Sequence, residues 1–359
     1  MKSTEIAIIG GGPAGLCAAI SAASLGAKVI LIERNDSLGG QLIKQTHMFF
    51  GSQKQYASYR GIDIAGILMK NQEKYKENIE ILLDATVLGM YEDGVISIEQ
   101  NEKYMKIKPQ SVIVATGASE KFLAFPNNDL PGIYGAGAVQ TLMNVHGVAP
   151  GRNVVMVGAG NIGLIVSYQL MQAGIHVKAI VDASPKIGGY LVHASKIRRM
   201  GIPIYTSHTV KYAHGNDRLE KVTLCRLDEK WQQVPGSEFD IETDVLCISV
   251  GLSPLTELLW QAGCNMKYIP ELGGHVPYRN QELETNIKGV YVAGDVAGVE
   301  EASSAMVEGK LAGLCAAKAI GYTAPDFEEQ RQDCLSQLES LRSGHVGEKI
   351  RSGLQQVAL

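Results

Sequence analysis

The sequence predicts an α/β fold in two parts, the second inserted into the first, and three observations carry that prediction. A G-x-G-x-x-G pattern follows an apolar run at Gly10, Gly12 and Gly15, and recurs at Gly158, Gly160 and Gly163. Behind each pattern come a helix-forming stretch, a second apolar run and an acid, Glu33 in the first copy and Asp182 in the second. A further apolar run, Val290, Tyr291 and Val292, lies far downstream and completes the first sheet if the second copy is an insertion. The expected boundaries are 1–117 for the first part of the outer domain, 118–250 for the inserted domain and 251–322 for the return. Residues 323–359 are expected to form a C-terminal helical tail.

Each element has a local reason. Ile6, Ile8 and Ile9 are β-branched and Ala7 keeps the run apolar, as in a strand covered on both faces. Gly10 permits the sharp turn, Gly12 lets a pyrophosphate approach the backbone, and Gly15 lets the helix lie close to the sheet. The helix over 13–25 aims its amide-rich end at the phosphates, and Pro13 loses nothing there by lacking an N–H. Residues 29–32 form the second strand. Glu33 ends it, 18 residues after Gly15, where a carboxylate can take both hydroxyls of an adenosine ribose. Strand, turn, helix, strand and acid in this order outweigh the bland alternative of a glycine-rich turn without a ligand.

Three more stretches favour a flavin. The Gly39–Gly40 pair lets the chain pass close to a diphosphate, and Gln41, Thr46 and His47 supply polar groups along an extended ligand. The run over 112–118 is a buried strand ending in Ala115, Thr116 and Gly117. The run over 289–298 ends in Gly294 and Asp295 and is followed by a helix over 301–317. There Asp295 can bind a sugar-alcohol chain, and the helix N-terminus can stabilise the anion of a reduced ring.

GGGPAG with Glu33, the GGQ turn, ATG and the terminal YVAGD together resemble the two-dinucleotide-domain flavoprotein superfamily, which includes thioredoxin reductase and the disulfide reductases. The resemblance runs from residue 5 to about residue 320 with the four motifs in order. It implies an α/β fold of two Rossmann-like, three-layer (ββα-type) dinucleotide-binding domains. It also implies FAD, extended along the first. The residues it assigns to FAD are Gly10, Gly12, Pro13, Ala14, Gly15, Glu33, Arg34, Gly40, Gln41, Thr46, Val87, Ala115, Thr116, Gly117, Gly294, Asp295 and Ala302. The second domain is then a place for NAD(H) or another adenine nucleotide, at Gly158, Gly160, Asn161, Ile162, Gly163 and Asp182. Asp182 favours NADH over NADPH, since a carboxylate repels a 2′-phosphate. Ile165 stands where nicotinamide-using relatives often carry Glu, which counts against hydride transfer at this site. A fold kept for packing after losing its ligand is the alternative.

Composition narrows the chemistry. A formal charge of −4 argues against a general nucleic-acid binder. No apolar run reaches the roughly 18 residues of a spanning helix, and the N-terminal stretch does not read as a signal peptide, so the expected location is cytoplasmic. The six cysteines contain no CxxC pair, and neither they nor the eight histidines show metal-ligand spacing. Dithiol chemistry therefore lacks its residues, and no metal site is expected.

The segment DLPGIYGAGAVQTLMN (129–144) resembles the corresponding part of alpha-type subunits of multi-component amine and amino-acid dehydrogenases. These include heterotetrameric sarcosine oxidase, dye-linked L-proline dehydrogenase, opine oxidases and hydrogen cyanide synthase. That resemblance implies a hetero-oligomer with an FAD-containing beta subunit that oxidises the C–N bond and a small iron–sulfur subunit. This chain would then relay electrons. Two other functions stay open: a stand-alone NADH-dependent flavin reductase, and a non-catalytic scaffold holding a nucleotide. His47 is a candidate for a catalytic or a positioning role. Leu335, Leu338 and Leu341 form a helical row, open to a partner or to the chain's own core. Arg198 and Arg199 read as a solvated helix end.

Overall fold

A computed structural model of the chain describes residues 2–345 and 347–359. Two compact units emerge. One runs up to Ile43 and then takes Met48–Ser119 and Leu252–Leu359; the other takes Lys44–His47 and Glu120–Gly251.

In the first unit the chain order is β1 (Lys2–Ile9), α1 (Pro13–Ser24), β2 (Val29–Ile32), α2 (Gly61–Glu73), β3 (Ile79–Leu82), β4 (Ala85–Met90), β5 (Ile96–Gln100) and β6 (Lys103–Val114). Strands β3, β2, β1 and β6 are parallel neighbours, and Val290–Val292 joins β6 with Tyr291 opposite Ile113. Strand β6 serves two layers. Its first residues pair antiparallel with β5 and its last residues pair with β1. The meander β4–β5–β6 thus covers one face of the parallel sheet and helices cover the other. Burial alternates to match: Ile6 and Ile8 enter the helix-side core with Leu16 and Leu31, and Ala7 and Ile9 enter the meander-side core with Ile98 and Val292. A strand buried on both faces needs that uninterrupted apolar run.

The helix Ala302–Ala319 lies directly on α1. A Cβ on Gly309 would overlap the Ala14 carbonyl, and one on Gly313 would overlap the Ala18 carbonyl. Small residues on both helices allow this approach, and Ser21 Oγ donates to the Lys310 carbonyl at 2.9 Å across it.

The second unit repeats the plan. Its parallel order is Ile204–Thr206, His176–Asp182, Asn153–Val157, Val245–Ile248 and Ile133–Gly135. A three-stranded antiparallel sheet of His208–His214, Lys221–Arg226 and Phe239–Glu242 accompanies it. Val154 and Met156 face one core, and Val155 and Val157 the other. The architecture is therefore that of two Rossmann-like, three-layer units.

The C-terminal residues carry the helices Phe327–Leu341 and Glu348–Gln355. They belong to the first unit. In the helix Phe327–Leu341, Phe327, Cys334 and Leu338 are buried in the helix-side core, with Leu335 and Leu341 packed against it. The leucine row is thus consumed by the chain's own core. Arg198 and Arg199 end the helix Leu191–Arg199 and are exposed.

Because Leu338 is 5% exposed in that core, Leu338→Ala should destabilise the first unit by about 2–5 kcal/mol. Urea unfolding of the purified chain checks this; a loss below about 0.5 kcal/mol would show a detachable tail instead.

Candidate functional site

The two glycine turns are built alike. Gly10 has φ +109° and Gly158 φ +110°. A Cβ on Gly10 would overlap the Ala115 carbonyl, and one on Gly158 the Ser249 carbonyl. A Cβ on Gly15 or Gly163 would strike the carbonyl of Gly10 or Gly158 in turn, so each helix sits against its own turn. The middle glycines are different. A Cβ on Gly12 would meet only the Gly40 Cα, at 3.8 Å, and one on Gly160 would meet nothing within 4 Å. Gly12 and Gly160 are also the N-cap residues of the two helices, and neither helix has a side-chain cap. The first-turn amides of each helix lack intrahelical acceptors and sit at the positive end of the dipole. Packing does not require glycine at these two places, but close approach of a phosphate does.

The acids close each turn. Glu33 is 5% exposed. Its Oε2 accepts the Gly11 N–H at 2.7 Å, and its Oε1 accepts from the Asn35 backbone at 2.9 Å and the Asn35 Nδ2 at 2.7 Å. Asp182 does the same in the second unit: Oδ2 accepts the Ala159 N–H at 2.6 Å and Oδ1 the Ser184 N–H at 2.8 Å. A carboxylate has about four acceptor positions, so Glu33 keeps about one for a ribose hydroxyl and Asp182 about two.

The Gly-Gly turn joins the first site through backbone. Gly39 donates to the Gly11 carbonyl at 2.8 Å, and a Cβ on Gly40 would lie 2.7 Å from the Gly12 Cα. Sequence reasoning missed the second unit's counterpart, Gly188 and Gly189. Gly189 donates to the Ala159 carbonyl at 2.9 Å. The signal was present: a Gly-Gly pair six and seven residues behind each acid.

Gly294 and Asp295 follow the strand Val290–Val292. Gly294 has φ +77° and a Cβ there would press on the Ala14 Cβ at 3.0 Å, which brings this turn against the start of α1. Burial pushes the Asp295 carboxyl up to about 7, with Glu308 and Glu300 adding repulsion. Ala302 begins the helix Ala302–Ala319, and Pro13 and Ala14 begin α1. Ala115 is buried beside Gly10; Thr116 donates its hydroxyl to the Leu255 carbonyl at 2.7 Å, and Gly117 has φ +76°. Arg34 and Gln41 are exposed, and Val87 lies on β4 packed on the meander-side core.

Thr46 and His47 lie in the second unit. Thr46 Oγ1 accepts from Gln169 Nε2 at 2.8 Å. Burial pushes the His47 imidazole down to about 4, with the nearby His193 adding, so it is neutral near pH 7. In the second turn, Asn161 Oδ1 accepts the Tyr190 N–H at 2.8 Å, Ile162 is exposed and Ile165 is buried. Among the described residues no group of His, Cys, Asp and Glu is arranged to hold a metal ion.

Two glycine turns of one build, each closed by an acid, give the chain the plan of a two-unit dinucleotide-binding fold. The sequence profile of the pyridine nucleotide-disulphide oxidoreductases matches residues 4–309, and the chain belongs to that family. It is an FAD-dependent oxidoreductase. An opine oxidase subunit of Agrobacterium tumefaciens is 26% identical over 87% of this chain and 65% of its own. The hydrogen cyanide synthase subunit HcnB of Pseudomonas aeruginosa is 24% identical over 98% of this chain and 80% of its own. The crystal structure of L-proline dehydrogenase from P. horikoshii matches with TM-score 0.71 and 26% identity, over 92% of this chain and 59% of that one. Thioredoxin reductase of T. acidophilum shares the fold, with TM-score 0.72 and 23% identity over 89% of this chain and 99% of that one. This chain thus spans less than two thirds of the proline dehydrogenase chain and of the opine oxidase subunit.

The glycines give a paired test. Gly12→Val adds bulk where the protein leaves space, so the fold should survive at a cost of about 1 kcal/mol for the poorer N-cap while FAD affinity falls at least tenfold. Gly10→Val should fail to fold, since its left-handed backbone and the Ala115 carbonyl both exclude a side chain. Thermal unfolding and FAD fluorescence separate the two; wild-type FAD binding by Gly12→Val would remove the phosphate from this turn.

The raised Asp295 carboxyl gives a pH test on the unliganded chain. Its folded value, about 7, exceeds its unfolded one, so folding binds a proton in between and stability falls as pH rises from about 4 to about 7. Asp295→Asn should flatten that fall relative to wild type and gain most above pH 7. Urea midpoints at pH 5 and pH 8 measure it; equal differences at both would place the carboxylate in water.

Proposed function

We propose that the chain is the FAD-containing electron-transfer subunit of a hetero-oligomeric amine or amino-acid dehydrogenase, with C–N oxidation on a partner. The observation that carries this reading is the pairing of an FAD-type fold with cysteines unsuited to dithiol chemistry. Cys225, Cys247, Cys264, Cys315 and Cys334 are buried and Cys17 is half-buried. Burial raises every one of these thiols, Cys17 and Cys315 to about 12. A thiolate is the species that attacks or leaves in disulfide exchange, so none is poised to react. Two of the relatives are themselves subunits, of opine oxidase and of hydrogen cyanide synthase, which supports an assembly.

Within that reading, Gly12 and the first-turn amides of α1 hold the diphosphate, and Gly40 shapes the wall beside it. Glu33 orients the ribose hydroxyls, and Asp295 orients the sugar-alcohol chain. Arg34, Gln41, Val87, Thr116 and Gly117 complete the contacts. Thr46 and His47 fall in the second unit and carry no role in this reading. Bound FAD supplies reversible two-electron chemistry, received from a partner's flavin and passed to a small iron–sulfur subunit or another carrier. The amine-recognising residues then lie on the partner.

A second reading has its own observation. The Gly158–Gly163 turn, with Asp182 and an open Gly160, keeps the parts of an NADH site, which fits a stand-alone flavin reductase. Anaerobic spectroscopy of the purified chain separates the readings. The first expects flavin absorbance, slow bleaching by NADH and no amine dehydrogenase activity without a partner. Rapid bleaching by NADH supports the reductase, and substantial amine oxidation by the isolated chain overturns the electron-transfer reading.

A further inference from the structure

A buried charged network converges on the Gly294–Asp295 turn from the C-terminal residues. Arg342 caps the helix Phe327–Leu341 at its C-terminus, where a cation also suits the helix dipole. Its Nε donates to Glu300 Oε2 at 2.9 Å and its Nη2 to Glu300 Oε1 at 2.6 Å. The same Nη2 donates to Glu308 Oε1. The other oxygen of Glu308 accepts the Gly294 N–H at 2.8 Å. The Glu300 N–H points at Asp295 Oδ1, at 3.4 Å. One guanidinium therefore holds two carboxylates that lead to two successive residues of one turn.

The side chains involved are hidden from water. Those of Arg342, Glu300 and Glu308 are 13%, 9% and 3% exposed. Arg279, 5% exposed, adds a second guanidinium close enough to influence Glu308, Glu300 and Arg342. Burying this many charges is a poor way to gain stability, because desolvation offsets most of the attraction. A network at such cost fits a place where geometry and local potential matter. Gly294 is such a place, held at a backbone conformation that other residues rarely adopt.

We propose that Arg342 is a positioning residue for the Gly294–Asp295 turn and sets the electrostatic balance felt by FAD held there. This rests on the assignment of that turn to FAD. Arg342 touches Glu308 and Glu300, and it acts through them. Without it, two carboxylates near the turn lose their counter-charge. The local potential then becomes more negative, and the electron-rich reduced cofactor is disfavoured relative to the oxidised one. Neutralising Glu308 acts in the opposite direction.

The experiment reads FAD affinity by fluorescence, the two-electron midpoint potential by dye equilibration, and apoprotein melting, for wild type, R342Q, R342K and E308Q. R342Q should weaken FAD binding about tenfold. It should also lower the preference for reduced over oxidised FAD about tenfold, a downward shift of about 30 mV. R342K keeps the charge and should return the potential to the wild-type value. E308Q should shift the potential upward by a similar amount. General structural damage would not reverse sign between R342Q and E308Q, so opposite shifts support the proposal whatever the melting temperatures. Unchanged potential and affinity in R342Q overturn it. If R342Q does not fold, an unchanged potential in E308Q overturns it. Failure of the wild-type chain to bind FAD is a separate result, which sinks the cofactor assignment itself.

Discussion

The first unit depends on one close approach. Backbone meets backbone at the Gly10–Gly15 turn, where α1 starts against the end of β1 with no side chain between. Gly15 touches the Gly10 carbonyl, Gly10 touches the Ala115 carbonyl, and Glu33 reaches over to take the Gly11 N–H. Moving α1 outward by one methyl group would break the contact of Gly15 with the Gly10 carbonyl. It would also shift Gly309 and Gly313, whose helix lies on the same α1 backbone. The space left in front of Gly12 is thus fixed by the packing behind it. This is how a sheet and two helices can present a rigid row of amides to a phosphate without a charged side chain.

The carboxylate latch explains why an acid ends the second strand of each unit. Glu33 and Asp182 bind backbone N–H groups of the turn and of the residue two places further on. Both acids are oriented before any ligand arrives, and the entropy of fixing them belongs to folding. A hydroxyl that comes later meets a carboxylate whose position is already set. The lengths differ, Glu in one unit and Asp in the other, yet each reaches the same position of its turn, Gly11 or Ala159. The repeat thus preserves the hydrogen bond and lets the side chain vary.

Much of this was legible in the chain because it rests on local rules. Strands buried on both faces need continuous apolar runs, and those over 6–9 and 153–157 are plain to read. Glycines excluded by a carbonyl have to be glycine, so their spacing is visible. What escaped reading depends on contacts distant in sequence. Residues 44–47 join the second unit although the chain on either side belongs to the first. No local pattern marks that, because the reason is a partner such as Gln169, 123 residues away. The Leu335–Leu338–Leu341 row announced a buried face but not what would bury it. Arg342 was silent for the same reason: an arginine after a helix usually reads as solvated, and only the fold brings Glu300 and Glu308 to it.

The two units share a turn and differ in what surrounds it. In the first, Gly294–Asp295 presses on Ala14 and the long helix Ala302–Ala319 covers α1, so polar groups extend beyond the phosphate position along the start of α1. In the second, the strand in the corresponding place is Ile133–Gly135, which pairs with Val245–Ile248 as Val290–Val292 pairs with β6. The helix behind it, Ala136–Gln140, is short, and Glu120 accepts the Gly137 N–H at its start at 2.6 Å. A site with acids on both sides of its diphosphate cradle suits a ligand with sugars on both sides. The duplicated plan thus keeps the turns alike and varies the elements beside them.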